Sequence, residues 1–199
     1  MKRHSAAKKG IIKLAALLML LAVFIGTMSF LTYRSILKLL HPVQYEDLVA
    51  QYAAEFELEE TLVLAVIKTE SSFDPQAESS AGAQGLMQIT PDTFEWLQSK
   101  RRETRGAAEI FEPKTAICYG SFFLRLLLTE FEDERTALAA YHAGRGQVNR
   151  WLKESENSTD GKTLTRIPSA ETAHYVNKVI TAKNRYENLY KERDTKNGK

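Results

Sequence analysis

One carboxylate in this chain stands where a charge is costly. On a helical wheel of about 100° per residue, Thr61–Asp74 places Leu62, Val63, Val66, Ile67 and Phe73 on one face. Glu70 falls in the middle of that stripe, one turn after Val66 and Ile67. A carboxylate among such neighbours must be hydrogen-bonded, line a cleft or take up a proton. Desolvation raises its pKa toward neutrality, which suits a general acid that must still hold its proton when a leaving oxygen needs it. The stripe alone allows equally a structural glutamate satisfied by backbone donors of the following loop.

The surrounding residues shift that balance. Glu70-Ser71-Ser72-Phe73-Asp74-Pro75 is followed by Ser79-Ser80-Ala81-Gly82-Ala83-Gln84-Gly85-Leu86-Met87-Gln88-Ile89-Thr90-Pro91. Further on come Ala140-Tyr141-His142-Ala143-Gly144 with Val148 and Trp151, then Ile167-Pro168 with Glu171-Thr172 and Tyr175-Val176. These three motifs, in this order, closely resemble the soluble lytic transglycosylase family, which has the lysozyme-like fold and is related to goose-type lysozyme. The resemblance covers about residues 45–190.

It implies roles position by position. Glu70 matches the family's single catalytic acid/base. Ser79, Met87 and Gln88 match groups that line the sugar cleft, Tyr141 matches the tyrosine bordering the catalytic carboxyl, and Glu171 and Tyr175 match the far wall of the groove. Ser and Gln suit hydroxyl and acetamido groups, and Met and Tyr offer apolar faces to sugar rings. Gly82 and Gly85 would let the loop backbone approach a substrate closely. Each residue also has a local reading: a turn for Ser79, core for Met87, helix-dipole pairing for Glu171, packing for Tyr175. Two positions depart from the pattern. His142 replaces the usual Asn and joins the expected substrate-binding set, and Ala116 stands where Asn is usual.

Hydrolytic glycosidases generally use two carboxylates. Those nearest Glu70 in sequence are Asp74, which reads as a helix stop before Pro75, and Glu78, in the loop. Neither reads as a nucleophile, so a single-acid route fits better. The resemblance implies non-hydrolytic cleavage of the MurNAc-β-1,4-GlcNAc bond of peptidoglycan, giving 1,6-anhydro-MurNAc ends. A goose-type-lysozyme-like hydrolase and a non-catalytic glycan-binding component of an envelope machine are the alternatives. No cofactor and no metal are expected.

The elements that must position these residues are helical. The spacing predicts helices over Tyr45–Phe56, Thr61–Ser72, Pro91–Leu97, Pro113–Leu128, Asp133–Tyr141 and Val148–Leu152, with a final helix from Pro168 through Tyr190. Ser79–Gln88 reads as a loop, with a possible short strand at Leu86–Ile89. Lys100–Gly106 reads as a charged exposed connection, and Glu154–Lys162 as polar and flexible. Residues 191–199 read as a charged, disordered tail.

Ahead of this domain, Leu14–Thr32 is an uncharged apolar run, long enough for a membrane span of roughly 20 residues. Lys2, Arg3, Lys8, Lys9 and Lys13 precede it, which predicts a cytoplasmic N-terminus. A signal peptide cleaved near Thr27-Met28-Ser29 is the minority alternative. The expected organisation is therefore a basic start, transmembrane anchor and short stalk (1–41), a catalytic domain (42–190) and a tail (191–199). The fold class is mainly α, a lysozyme-like lytic transglycosylase domain after a single transmembrane helix.

Composition supports this arrangement. Residues 1–40 hold seven of the 27 basic residues and no acid, which leaves 20 basic and 25 acidic residues, a net of −5, for the remainder. A mildly acidic domain lacks the basic surface that nucleic-acid binding needs. The single cysteine, Cys118, excludes an intrachain disulfide and a multi-cysteine zinc site, and reads as a small buried hydrophobe. The expected partners are peptidoglycan strands and the membrane; an envelope-machinery partner is compatible but unidentified.

Overall fold

A computed structural model describes residues 17–33, 35–36 and 43–197. The chain divides into two compact units, Met1–Pro42 and Val43–Lys199.

In the first unit, residues 17–33 form helix α1. Its large apolar side chains, from Leu17 to Tyr33, are all exposed, as is Ile36. Among the described residues, no helix is long and apolar enough to cross a membrane. The basic start, residues 14–16 of the expected span, and residues 37–41 of the expected stalk lie outside the described residues.

The second unit is built from helices. α2 (Glu46–Glu55) and α3 (Glu60–Glu70) both carry acidic residues in their first turn, where the helix dipole favours them. α3 is buried at every position from Thr61 to Ile67. α4 (Pro91–Arg101) starts with Thr90 accepting from the Thr93 amide and Pro91 in its first turn, and ends in Lys100 and Arg101. A 3₁₀ turn (Ala107–Phe111) leads into α5 (Pro113–Phe131), whose buried residues include Ile117, Tyr119, Leu124 and Leu127. α6 (Glu134–Ala143) is capped by Asp133, whose carboxylate accepts from the Thr136 amide at 2.7 Å and its hydroxyl at 2.6 Å. Gly144, at φ 86°, separates α6 from α7 (Arg145–Trp151).

α8 (Ala170–Asn197) closes the domain by packing along α3 and against α6. Lys183, nearly buried, ties it down through Glu59 at 3.1 Å and Glu134 at 2.7 Å. This clasp joins the start of α3, the start of α6 and the middle of α8.

The structure corrects several expectations. α4 runs to Arg101 rather than Leu97, and α5 to Phe131 rather than Leu128. α8 continues through residues 191–197, which were expected to be a disordered tail. Lys, Glu and Arg are good helix formers, so charge there does not end the helix. Leu86–Ile89 is not a strand; Gln84 instead makes isolated bridges to Glu78 and Ile89. The segment Glu154–Lys162, expected to be polar and flexible, is folded around buried Asn157 and Ser158. Asn157 donates to Glu154, and its carbonyl accepts from the amides of Thr165 and Arg166.

Candidate active site

Glu70 is the last residue of α3, and the turn after it explains its position. The Ser71 amide closes the helix on Ile67 O, and then Ser72 (φ 54°) and Phe73 (φ 69°) both enter the left-handed region. Two consecutive non-glycine residues there cost roughly 1 kcal/mol each or more. Ser71 steadies the bend: its hydroxyl donates to Leu86 O at 2.9 Å and accepts from the Phe73 amide at 3.1 Å. The apolar stripe therefore ends with Glu70 at the lip of the core, half-buried.

Across from it, Tyr175 of α8 donates its phenol hydrogen to Glu70 Oε1 at 2.6 Å. Burial pushes the Glu70 pKa up to about 7, against the opposing pull of the Tyr175 hydrogen bond and the Lys178 ammonium. Half of the Glu70 population is thus protonated near neutrality, ready to donate a proton and then to accept one. Tyr141 and Tyr175 are both pushed well above the usual phenol range by burial and by the Glu70 charge, so both remain donors. Among the described residues, the groups that shift the Glu70 pKa are Tyr175 and Lys178, neither of them a carboxylate. Asp74 instead accepts from the Gln76 amide at 2.9 Å, and Glu78 faces Gln84 at 3.5 Å.

The other expected residues are held by contacts of different kinds. Tyr141, nearly buried, packs its ring on Phe123 at 5.0 Å and donates to Met87 O at 2.8 Å. His142 stacks on Tyr175, ring centroids 4.6 Å apart, with Nδ1 3.2 Å from Thr172 Oγ1. Glu171 is exposed in the first turn of α8 and acts electrostatically on His142.

On the loop side, Ser79 Oγ accepts from the Ala83 amide at 3.0 Å, and Gln88 Nε2 donates to Ala77 O and Gly85 O, each at 3.0 Å. Met87 is completely buried. Its side chain fills the space that Gly120 of α5 leaves open, so it anchors the loop to the core and offers no apolar face to a sugar. Gly85 is likewise required by the protein itself: at φ 73°, a Cβ there would collide with the Ile110 carbonyl. Gly82, at φ 77°, has open space beside it and is required only by its backbone angle.

Three contributors were not singled out from sequence: Lys178, Thr172 and the Ser71 hydroxyl. Lys178 had a signal, since it lies three residues after Tyr175 and so near the same helix face. Among the described residues, no group of three or more His, Cys, Asp or Glu could hold a metal ion. A cavity of about 540 Å³ between α4 and residues 103–107 shares Gln84 with the loop but not Glu70. The site is thus marked by its chemistry and not by that cavity.

The family model of the transglycosylase SLT domain matches residues 47–164. The soluble lytic murein transglycosylase of Salmonella typhimurium is 34% identical over 143 residues, 70% of this chain and 22% of that protein. The membrane-bound lytic murein transglycosylase C of Yersinia pestis is 30% identical over 168 residues, 72% of this chain and 46% of that one. Among solved structures, the 70 kDa soluble lytic transglycosylase of Escherichia coli superposes with a TM-score of 0.69 at 28% identity, over 77% of this chain and 26% of that one. The lytic transglycosylase Slt of Pseudomonas aeruginosa, solved as an inactive glutamate-to-glutamine mutant, gives 0.66 at 28% identity, over 75% and 25%. This chain therefore spans about a quarter or less of those soluble relatives. The mainly helical, lysozyme-like lytic transglycosylase fold expected from the motifs is the fold observed.

Proposed function

The chain belongs to the transglycosylase SLT domain family, and on that premise we propose that it is a peptidoglycan lytic transglycosylase with Glu70 as sole acid/base. The observation that carries this is a half-buried carboxyl with a pKa of about 7, bonded to a phenol and influenced by no second carboxylate.

Neutral Glu70 gives its proton to the glycosidic oxygen between N-acetylmuramic acid and N-acetylglucosamine, and the bond from that oxygen to C1 breaks. The substrate's own acetamido group stabilises the charge at C1. Glu70, now ionised, takes the proton of the C6 hydroxyl of the same muramic residue as that oxygen bonds to C1. The product is a 1,6-anhydro end, Glu70 is protonated again, and no water is consumed. Tyr175 supports the ionised half of the cycle by donating to Oε1. Ser79, Gln88, Tyr141, His142, Glu171 and Tyr175 border the glycan; Met87 contributes through its carbonyl, which holds Tyr141.

Mass spectrometry of muropeptides released from purified cell wall tests this. The wild type is expected to give anhydro products, and Glu70→Gln none while remaining folded. Products heavier by one water would mark a hydrolase, and full activity of Glu70→Gln would overturn the assignment of Glu70.

Residues 14–32 anchor the enzyme in the membrane, with the N-terminus cytoplasmic and the catalytic domain outside. What supports this is the charge-free sequence together with the exposed apolar side chains of 17–33 and of Ile36. Full-length protein is expected in the membrane fraction with an intact N-terminus. A mature N-terminus just after Ser29 would instead mean secretion after cleavage.

A further inference from the structure

Tyr175 reaches Glu70 from a helix 105 residues away in sequence. A hydrogen bond to a carboxylate weakens steeply with misalignment, so the phenol must be held in place. Its ring is nearly buried, and the face toward α6 carries the His142 imidazole, tilted by 32° at 4.6 Å. His142 is itself tied down, with Nδ1 3.2 Å from Thr172 Oγ1. Thr172 is almost fully buried, and its amide donates to Ser169 Oγ at 3.2 Å. A continuous chain of contacts thus runs from the start of α8 through Thr172 and His142 to Tyr175 and Glu70.

The neighbour of His142 serves the opposite wall. Tyr141 points to Met87 O in the loop, while His142 points to α8. Successive residues on a helix diverge by about 100°, so the last turn of α6 can brace both sides of the site at once.

We propose that His142 is a positioning residue for the reaction: stacked on Tyr175 and tied to Thr172, it fixes the phenol that donates to Glu70. The proposal rests on the reading of Glu70 as acid/base and replaces a direct glycan contact as the main role of His142. The imidazole acts here through shape and not charge. Partial burial holds it below the usual imidazole value, with Glu171 of α8 working against that. The other titratable groups facing Tyr175 are Glu70 on α3 and Tyr141 on α6, and Lys178 on α8 acts on Glu70. The resemblance places Asn at this position, which can bond Thr172 but has no ring to stack.

The test is a double-mutant cycle between His142→Ala and Tyr175→Phe, read by kcat, KM and the pH–rate profile on purified glycan strands. His142→Ala is expected to lower kcat roughly tenfold with little change in KM. It should also move the alkaline limb of the profile upward, the direction in which Tyr175→Phe moves it. In the Tyr175→Phe background, His142→Ala should have no further effect. Thr172→Val keeps both rings and should act in the same direction more weakly, which covers the case of an unstable alanine variant. Additive effects in the cycle, or a raised KM with an unmoved limb, would overturn the proposal in favour of direct glycan contact. A carboxyl-¹³C NMR titration of Glu70 separates this from the fate of the functional reading. If the wild type cleaves no glycan, the proposed function falls. An upward shift of the Glu70 titration in His142→Ala would still uphold the bracing of Tyr175, and an unmoved titration would refute it.

Discussion

On one side of Glu70, residues 76–90 bond mostly to one another; on the other, Tyr175, His142 and Thr172 are held by contacts spanning 30 to 105 positions. The loop wall is local: Ser79 pairs with Ala83, Gly85 with Ala77, Gln84 with Ile89, and Gln88 with both Ala77 and Gly85. It meets the rest of the domain where Met87 enters α5, Gly85 meets Ile110, Ser71 holds Leu86 and Tyr141 donates to Met87 O. The helical wall is the reverse, since each of its side chains is placed by packing α3 against α8 and α6 against α8. Damage to the loop should therefore remain largely local, while damage to the helical wall should reach the chemistry of Glu70.

The largest effect sharpens that contrast at its centre. Glu70→Gln should reduce release of anhydro products by roughly 10²- to 10⁴-fold, measured by mass spectrometry. The same variant should be more stable than wild type at alkaline pH. Folded Glu70 keeps its proton up to about 7, while an unfolded carboxyl releases it near 4.5, so wild-type stability falls as pH rises between those values. Gln has no proton to lose. Denaturant midpoints should be equal at pH 4 and favour the variant by up to roughly 3 kcal/mol at pH 8. Equal midpoints at both pH values would show that burial does not raise the Glu70 pKa.

Gly85→Ala tests whether the loop depends on the domain at a single point. The left-handed angle and the collision with Ile110 together should cost roughly 2–4 kcal/mol, read from urea unfolding. A neutral result would mean that the loop can move away from the 3₁₀ turn at Ile110 freely. Tyr175→Phe should extend the alkaline limb of the pH–rate profile upward by about one to two units, because the ionised carboxyl loses a charge-assisted donor worth roughly 1.5–3 kcal/mol. An unmoved limb would detach the helical wall from the chemistry. The smallest effect belongs to Ser79→Ala. Its backbone partners in the loop remain, so the loss is about 1 kcal/mol, seen as roughly fivefold faster hydrogen exchange at the Ala83 amide with global stability unchanged.

What could be read from sequence follows the same division. Glu70 was visible because its anomaly is periodic and local: a charge on the apolar stripe of one helix. The starts of α4 and α6 were visible in Thr90-Pro91 and Asp133, whose caps lie within three residues. Met87 was not legible. Whether its side chain faces a ligand or Gly120 depends on a residue 33 positions away. Asn157 and Ser158 lie in a segment that read as polar and flexible, yet both are buried, because a polar side chain can enter the interior once its bonds are met. The role of His142 was hidden for the same reason as that of Met87: its partner Tyr175 lies on another helix.

The sequence by itself determined that this chain is helical after position 43, that α3 ends in a carboxylate among apolar neighbours, and that the motifs of one enzyme family follow in order. Those are consequences of periodicity, capping and turn chemistry, which act over a few residues. Only the tertiary structure decided which phenol meets that carboxylate, which histidine braces the phenol, and how far the carboxyl pKa rises. Desolvation is the summed effect of groups brought in from α3, α6 and α8, and no local pattern carries that sum.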